Sequence, residues 1–418
     1  MTLQDFRGQG PPADIGTFQL PCSVLVFQHV FSGTTYFCAV RSGAQGWVLI
    51  DYGANPATVT NSALSEATAH DVTLLLRENW TITATLSVPV GVHLKGVGWR
   101  YSLNYNAGGN CITIAGDNAK VSDLKIVVVA GAGGAGTRPN CIYAANRTNL
   151  EVRSVWLVGD STVGDDGSEV RQCSIAFETV TYSGVHDCRM ESNRRHGITL
   201  QTASDSNTVS GNTCNGNIQH GITVLSSSSN TVFGNTCIGN IYSGILLYVA
   251  YNNTVSGNTC NGNAWGIAVQ DSSSNTVSGN TCNGNTRHGI TVISSSSNTV
   301  SGNTCNDNDV NNTGTYDGIN LVNGSSGNIV SHNTCKNNDR WGVMVDNDSD
   351  YNKVHGNYTG GNTSGSIRVN SADCNSNQIE WNTVEEGAPS DAGTTTRSYG
   401  NYDPSANAFV GDVGAAPF

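Results

Sequence analysis

Charge is scarce in this sequence of 418 residues, and positive charge most of all. Only 12% of residues are charged, with 20 Lys+Arg against 32 Asp+Glu, a formal net charge of −12 and a pI near 5.0. That balance excludes a general binder of the phosphate backbone, which needs a basic face, so nucleic acid is not an expected partner. No run of about 18 apolar residues occurs, which excludes a membrane-spanning helix. The opening MTLQDFRGQGPPADIG has neither the basic n-region nor the apolar h-region of a secretory signal. Either a signal has been removed, or the protein leaves the cell by another route, as a virion part does. Sparse charge goes with disorder only when apolar residues are sparse too. Here 37% are hydrophobic, and Val, Ile and Leu recur on a fixed spacing, so the chain is expected to fold.

What the sequence does have is a repeat. Between about Asn193 and Asn382 the phrase NTVSGNTCNGN returns, followed by a variable pair, then Gly-Ile-x-apolar, then a Ser-rich stretch. Cys214, Cys237, Cys260, Cys282 and Cys305 are separated by 23, 23, 22 and 23 residues. Gly197, Gly221, Gly244, Gly266, Gly289, Gly318 and Gly342 keep the same beat, with one insertion at Val310 to Thr315. A fainter inward pair, five residues apart, extends the pattern from Val121/Ile126 and Val152/Leu157 to Ile379/Val384. This period is too short for helical-hairpin repeats of about 33–47 residues, and its β-branched, Asn, Gly and Ser content is not that of helices. Leucine-rich repeats share the length but need Leu at several fixed positions, and those are missing. A parallel β-helix fits: two or three short strands per coil, stacked at about 4.8 Å into a rod on the order of 55 Å long. Val and Ile then point inward. Asn207, Asn230, Asn253, Asn275, Asn298, Asn328, Asn352 and Asn377 occupy one turn as an amide ladder. The pairs Asn215-Gly216, Asn261-Gly262 and Asn283-Gly284 suit turns with positive φ.

The phrases Gly-Ile-x-apolar, Ser-Ser-Ser-Asn and Asn-Thr-Val-Ser-Gly-Asn-Thr resemble the right-handed parallel β-helix repeats of NosD-like and pectate-lyase-like proteins. The segment VTLLLRENWTITATLSVPVGVHLKGVG, Val72 to Gly98, resembles the opening coil of pectate-lyase-superfamily and tailspike proteins. The expected fold is therefore all-β: a right-handed parallel β-helix solenoid of about 11–13 coils. Residues 71–385 would form the β-helix. Residues 1–70 would form an N-terminal hairpin and short-helix cap, and residues 386–418 an irregular C-terminal cap or docking tail. Within the first part, Ser23 to Asp51 alternates in hairpin fashion and Ala57 to Ala69 reads as a short capping helix.

The chain has 13 cysteines, an odd number that leaves at least one thiol unpaired within a monomer. Stacked in register, the cysteine row has parallel Cβ vectors about 4.8 Å apart, whereas a disulfide wants Cβ atoms about 3.5–4.5 Å apart and turned toward each other. A straight row supplies no tetrahedral metal site either. The row reads as small inward hydrophobes, and no metal is expected. Cys22 and Cys38, outside the row, are the candidates for a disulfide within or between chains.

Candidate chemistry lies just before each coil's glycine, in the row His196, His220, Ser243, Trp265, His288, Asp317, Trp341. Arg195, His196 and His220, with Asp187 and Glu191 near, form a candidate catalytic group. A lyase or epimerase on a uronic-acid polymer needs cations to hold the carboxylate and a base to take the α-proton. A second group, Arg287, His288, Asp317, Asp339, Arg340 and Asp346, offers paired carboxylates, and Trp265 and Trp341 offer faces for sugar rings. The resemblance also shows departures. Mannuronan epimerases of this fold carry Tyr-Gly-Ile-Asp-Pro-His, and the matching stretch here is His196-Gly197-Ile198-Thr199-Leu200-Gln201. The Asp clusters that bind Ca²⁺ in pectate lyases are not recognisable, so no cofactor is expected and Ca²⁺ is left open only by the resemblance.

The outward positions Leu225, Leu246, Tyr248, Ala268, Ile293, Val322 and Met344 are apolar where alternation predicts polar residues. They suggest a packing surface for a homo-oligomer or polymeric array. Two readings stand side by side. One is an extracellular, cell-surface or virion-surface structural β-helix that self-assembles into a trimer, fibre or sheath and contacts glycans. The other is a polysaccharide-active lyase, epimerase or glycosidase.

Overall fold

The computed structural model describes residues 24–31, 33–43, 46–67, 70–130, 140–160 and 173–410. Over these the chain winds through three parallel sheets whose strands stack coil upon coil. The first sheet runs from Asp71–Leu75 through Thr231–Phe233 to Arg397–Tyr399, the second from Trp80–Ile82 to Asn401–Asp403, the third from Leu86–Val88 through Ile222–Leu225 to Ser390–Asp391. In the middle coils the second sheet narrows to single bridges at Thr236, Thr259, Thr281 and Thr304.

The register follows the repeat. Val209 pairs with Val232, Val232 with Val255 and Val255 with Val277, and the same alignment holds for Ile222, Ile245, Ile267 and Ile290. All are fully buried, as are Cys214, Cys237, Cys260, Cys282, Cys305 and Cys335. Every described cysteine is buried, and burial pushes Cys141 and Cys188 up to about 12. Cys38 belongs to a small cluster with Leu25, Phe27 and Val40. Its expected disulfide partner, Cys22, lies outside the described residues.

Where one amide ladder was expected, three run through the repeat coils, from Asn207 to Asn377, from Asn212 to Asn401 and from Asn193 to Asn362. In a single coil Ser229, Gly234 and Gly239 adopt φ of 58°, 64° and 66°, and each is followed by a buried ladder residue: Asn230, Asn235 or Asn240. Each left-handed residue turns a corner, and each Asn secures it. The backbone N–H of Asn230, Asn235 and Asn240 donates to the Oδ1 of Asn253, Asn258 and Asn263 in the next coil at 2.8–2.9 Å. The side-chain amides reach back to carbonyls of the preceding coil, for example Asn258 Nδ2 to Val232 O at 3.0 Å. Corners that would otherwise bury unpaired backbone groups are thus satisfied. The third ladder ends on Glu386, which accepts from the Asn362 N–H at 3.1 Å.

The glycine preceding each isoleucine has a steric cause. A Cβ on Gly266 would lie 2.4 Å from the Gly289 carbonyl oxygen and 2.7 Å from the Cys282 Cβ. Only a bare Cα fits between the next coil and the cysteine row.

Different elements stand at the two ends of the described stack. Strands β1 (Val24–Phe31), β2 (Thr34–Gly43) and β3 (Gly46–Gly53) form an antiparallel meander, and β1 also pairs in parallel with Asp71–Leu75. Helix α1 (Pro56–Glu66) starts at Asn55, whose side chain accepts from the Ala57 and Thr58 N–H groups, with Pro56 in its first turn. It buries Val59, Ala63 and Leu64 over the open end of the rod. At the other end the stack continues through Asn401–Asp403, and Ala408–Val410 folds back antiparallel onto it. Among the described residues no helix is long and apolar enough to cross a membrane.

Candidate functional site

The residues that precede the repeat glycines line the corner between the second and third sheets. The structure brings two groups together there. In the first, the His196 and His220 rings stack with centroids 5.3 Å apart and planes 21° from parallel, and Tyr242 continues the row at 5.6 Å from His220. His220 Nδ1 accepts the Ser243 N–H at 3.0 Å, which fixes a neutral ring with its proton on Nε2. Burial holds His196 well below the usual imidazole range, with His220 and Arg195 adding to the effect, and it brings His220 down to about 4. Neither ring is a cation near neutrality, and Arg195 beside them is 3% exposed. Glu191 turns elsewhere, accepting from Trp156 Nε1 at 3.1 Å and from Arg189. Asp187 stands at the corner between the first and second sheets with φ 54°.

The second group is built on Asp317, whose side chain is fully buried. Its carboxylate accepts from Arg340 Nε at 2.7 Å and Nη2 at 2.5 Å, from the Trp341 N–H at 3.1 Å and from Asn320 Nδ2 at 3.2 Å. Burial pushes this carboxyl up to about 6, while the bidentate guanidinium and the other donors favour its charged form. The Asp317 N–H donates to His288 Nδ1 at 2.9 Å, and burial brings His288 down to about 3. Asp317 therefore acts as a buried anchor, held by four donors. Asp339 accepts from the Gly314 N–H at 2.6 Å and from Thr363 Oγ1 at 3.4 Å, and Asp346 accepts from Asn370 Nδ2 at 3.0 Å.

Around this anchor, rings and cations alternate. The Arg287 guanidinium lies 4.3 Å from the Trp265 ring and 5.6 Å from that of Tyr316, and Arg368 lies 5.5 Å from Trp341. Tyr316 meets His288 edge-on at 5.0 Å. It is delivered there by the insertion, which Asp309 organises by accepting from Thr313 Oγ1 at 2.7 Å and from the Thr315 and Tyr316 N–H groups at 3.0 and 3.2 Å. The sequence reading named Trp265, Arg287 and Trp341 but not Tyr242, Tyr316, Arg368 or Asp309. Tyr316 has a legible signal, since it sits directly before Asp317 at the end of the insertion that interrupts the row of repeat glycines.

The apolar stripe on the third sheet faces outward but stands little proud of its neighbours. Leu225, Leu246, Tyr248, Ile293 and Val322 are half-buried, and Ala268 and Met344 are buried.

Comparison with known proteins follows this geometry. The family described as "right handed beta helix region" matches residues 91–304, and "periplasmic copper-binding protein (NosD)" matches residues 238–403. No curated protein sequence matches. Among solved structures, the chain is similar to tailspike protein 3 of bacteriophage CBA120, with TM-score 0.60 and 12% identity over 84% of this chain and 57% of that one. It is similar to the Dettilon tailspike protein at TM-score 0.58 and 16% identity, over 81% and 65%. The mannuronan C-5 epimerase AlgE4 A-module of Azotobacter vinelandii aligns at TM-score 0.54 and 14% identity, over 84% and 94%. At these identities the likeness carries the fold.

Proposed function

Because the chain belongs to the right-handed β-helix family and its interior is filled by ladders, we propose that it works through its outer faces, as a glycan-contacting structural rod that assembles with copies of itself outside the cell or on a virion surface. The observation that carries this reading is the corner row of rings and guanidinium groups from Tyr242 through Trp265, Arg287 and Tyr316 to Trp341 and Arg368. The exposed Tyr242 ring and the half-buried rings of Trp265, Tyr316 and Trp341, with fixed donors beside them, suit sugar rings, and their spacing along successive coils suits a polymer lying along the rod. Tailspikes and a polysaccharide epimerase among the similar folds are consistent with a saccharide partner. The half-buried apolar stripe of the third sheet is the candidate assembly face. The copper named in the NosD description finds no donor set: among the described residues no group of three or more His, Cys, Asp or Glu is arranged to hold a metal ion.

The test is binding of the full chain to a panel of bacterial capsular and lipopolysaccharide glycans and alginate, with Trp265→Ala and Trp341→Ala as probes. Binding that falls at least tenfold in either variant supports the reading, and binding that both leave unchanged removes it. Electron microscopy across a concentration series tests assembly, with filaments or sheets expected and monomers at all concentrations opposing it.

The stacked neutral pair His196 and His220 favours a second reading, a polysaccharide lyase or epimerase that uses one imidazole as base. Turnover of a uronic-acid polymer that vanishes in His196→Ala/His220→Ala would support it, and turnover unchanged in that variant would end it.

A further inference from the structure

The first coils carry a different constellation on the outer face of the first sheet, within a cavity of about 300 Å³ lined by His93, Lys120, Val121, Ser122, Glu151 and Arg153. Asp71 and His93 are register partners on adjacent strands, as are Lys95 and Ser122, and Ser122 and Arg153. Side chains directly opposite or diagonal across parallel neighbours are within reach of each other. Here that reach makes a relay: Asp71 Oδ1 lies 3.2 Å from His93 Nδ1, and His93 Nε2 lies 2.8 Å from Ser122 Oγ. Lys95 Nζ holds the other Asp71 oxygen at 2.5 Å. The Ser122 hydroxyl donates to Asp123 Oδ2 at 2.7 Å, so its proton has to swing from Asp123 to His93 Nε2 before the oxygen can attack.

We propose that Asp71, His93 and Ser122 form an orienter, base and nucleophile that hydrolyse short-chain neutral esters in this cavity. The arrangement has the two contacts such chemistry requires, nucleophile to base and base to a third orienting group. Asp71 accepts from Nδ1–H, which leaves the Nε2 lone pair facing the serine hydroxyl. Burial lowers His93 from the usual imidazole value despite Asp71 opposing the shift, which keeps that lone pair available. Ser122 Oγ attacks the ester carbonyl while its proton passes to His93 Nε2. The tetrahedral intermediate collapses, the C–O bond to the alcohol breaks, and His93 returns the proton to the leaving alkoxide. Water then attacks the acyl-serine, with His93 taking and returning a proton in turn, and releases the carboxylic acid. Lys95 and Arg153 occupy the rungs on either side of Ser122 and supply positive charge beside the developing oxyanion.

The substrate class follows from size and charge. A volume of about 300 Å³ is at the lower end for small-molecule sites, which suits an acetyl-sized acyl group. Lys95, Lys120 and Arg153 are balanced by Asp71, Asp123 and Glu151, so the cavity has no net charge with which to select an anion.

The experiment uses the full chain, p-nitrophenyl acetate as substrate and a fluorophosphonate as serine-directed label, with the labelled peptide identified by mass spectrometry. Labelling of Ser122, and hydrolysis reduced at least ~100-fold in Ser122→Ala and His93→Gln, are expected. Asp71→Asn should lower turnover and reshape the acid limb of the pH profile. A purely structural ion-pair network would leave that limb unmoved. Ser122→Cys covers the case of a misfolded alanine variant: the residue is itself 1% exposed but lines the cavity, and its thiol should be alkylated by iodoacetamide under native conditions ahead of the other described cysteines, which are buried as well. A label on another residue, no label at all, or Ser122→Ala hydrolysing at the rate of the unaltered chain overturns the proposal.

Discussion

Replacing Asn258 by alanine tests whether the amide ladders hold the coils together. The Asn258 side chain donates to Val232 O at 3.0 Å and Asn280 Oδ1 at 2.9 Å, and it accepts from the backbone N–H and the Nδ2 of Asn235, both at 2.9 Å. Asn235 Nδ2 keeps two other acceptors, the carbonyls of Val209 and Phe233. The Asn235 backbone N–H loses the acceptor that its ladder position provides, inside a corner that is 1% exposed. Four bonds at about 1 kcal/mol net each give about 4 kcal/mol, a large share of it from the stranded amide. In a solenoid such a loss is local, because each coil touches only its neighbours. Native-state hydrogen exchange is therefore the assay, read at the coils carrying Asn235, Asn258 and Asn280. Protection of the Asn235 amide should fall about 10³-fold, since 1.4 kcal/mol corresponds to a factor of ten. Asn311→Ala, on the exposed insertion, should change nothing beyond about 0.5 kcal/mol. A fall below tenfold at Asn235, or a loss spread evenly along the rod, would refute the ladder argument.

Three further outcomes are expected. Gly266→Ala should destabilise its coil and the next one, because the new Cβ meets the Gly289 carbonyl at 2.4 Å and the backbone must shift. A loss under about 1 kcal/mol in urea unfolding would oppose this. Arg340→Ala leaves the buried Asp317 carboxylate without its bidentate partner, at about 3–5 kcal/mol. Because the folded-state value of Asp317 is raised to about 6, the associated stability is present below the ordinary carboxylate value and lost as pH rises through 6. The melting deficit of the variant should accordingly be smaller at pH 4 than at pH 7. His220 and His288 titrate in the opposite sense: their folded values near 4 and 3 lie below the ordinary imidazole value. The stability they contribute is present above pH 6.5 and lost as pH falls toward those values, and a His220→Gln/His288→Gln chain should show a flatter melting profile over that window.

The interior of the rod was largely legible in the sequence, because one-dimensional stacking turns structural equivalence into exact spacing. Val121/Ile126 through Ile379/Val384, the cysteine row and the Asn207 ladder all occupy the expected inward or corner positions. The other two ladders were present in the same phrase, as the second and fourth Asn of NTVSGNTCNGN. They escape a reading that assigns one turn residue per coil, since only the structure reveals three corners each needing a left-handed residue followed by an amide. The corner chemistry was half legible. Spacing aligned Trp265, His288, Asp317 and Trp341, but it did not reveal that Asp317 and Arg340 satisfy each other or that burial neutralises His196 and His220. Those outcomes depend on desolvation, which no spacing encodes.

The distribution of chemistry along the rod follows from the same stacking. Where successive coils repeat a residue, its job is to satisfy the coil above and below, and its functional groups are consumed in doing so. Reactive groups can stand only at outward positions where the repeat lapses. Asp317 and Tyr316 follow the one insertion. Asp71, His93 and Ser122 lie in the earliest coils, where the phrase is faint. Their separations of 22 and 29 residues carry them onto successive coils, Ser122 one diagonal from His93, so no local pattern marks them. A search of such a fold for catalytic groups is therefore better run down columns of outward residues, one coil apart, than along the chain. In this rod that direction of search finds a histidine between a carboxylate and a hydroxyl.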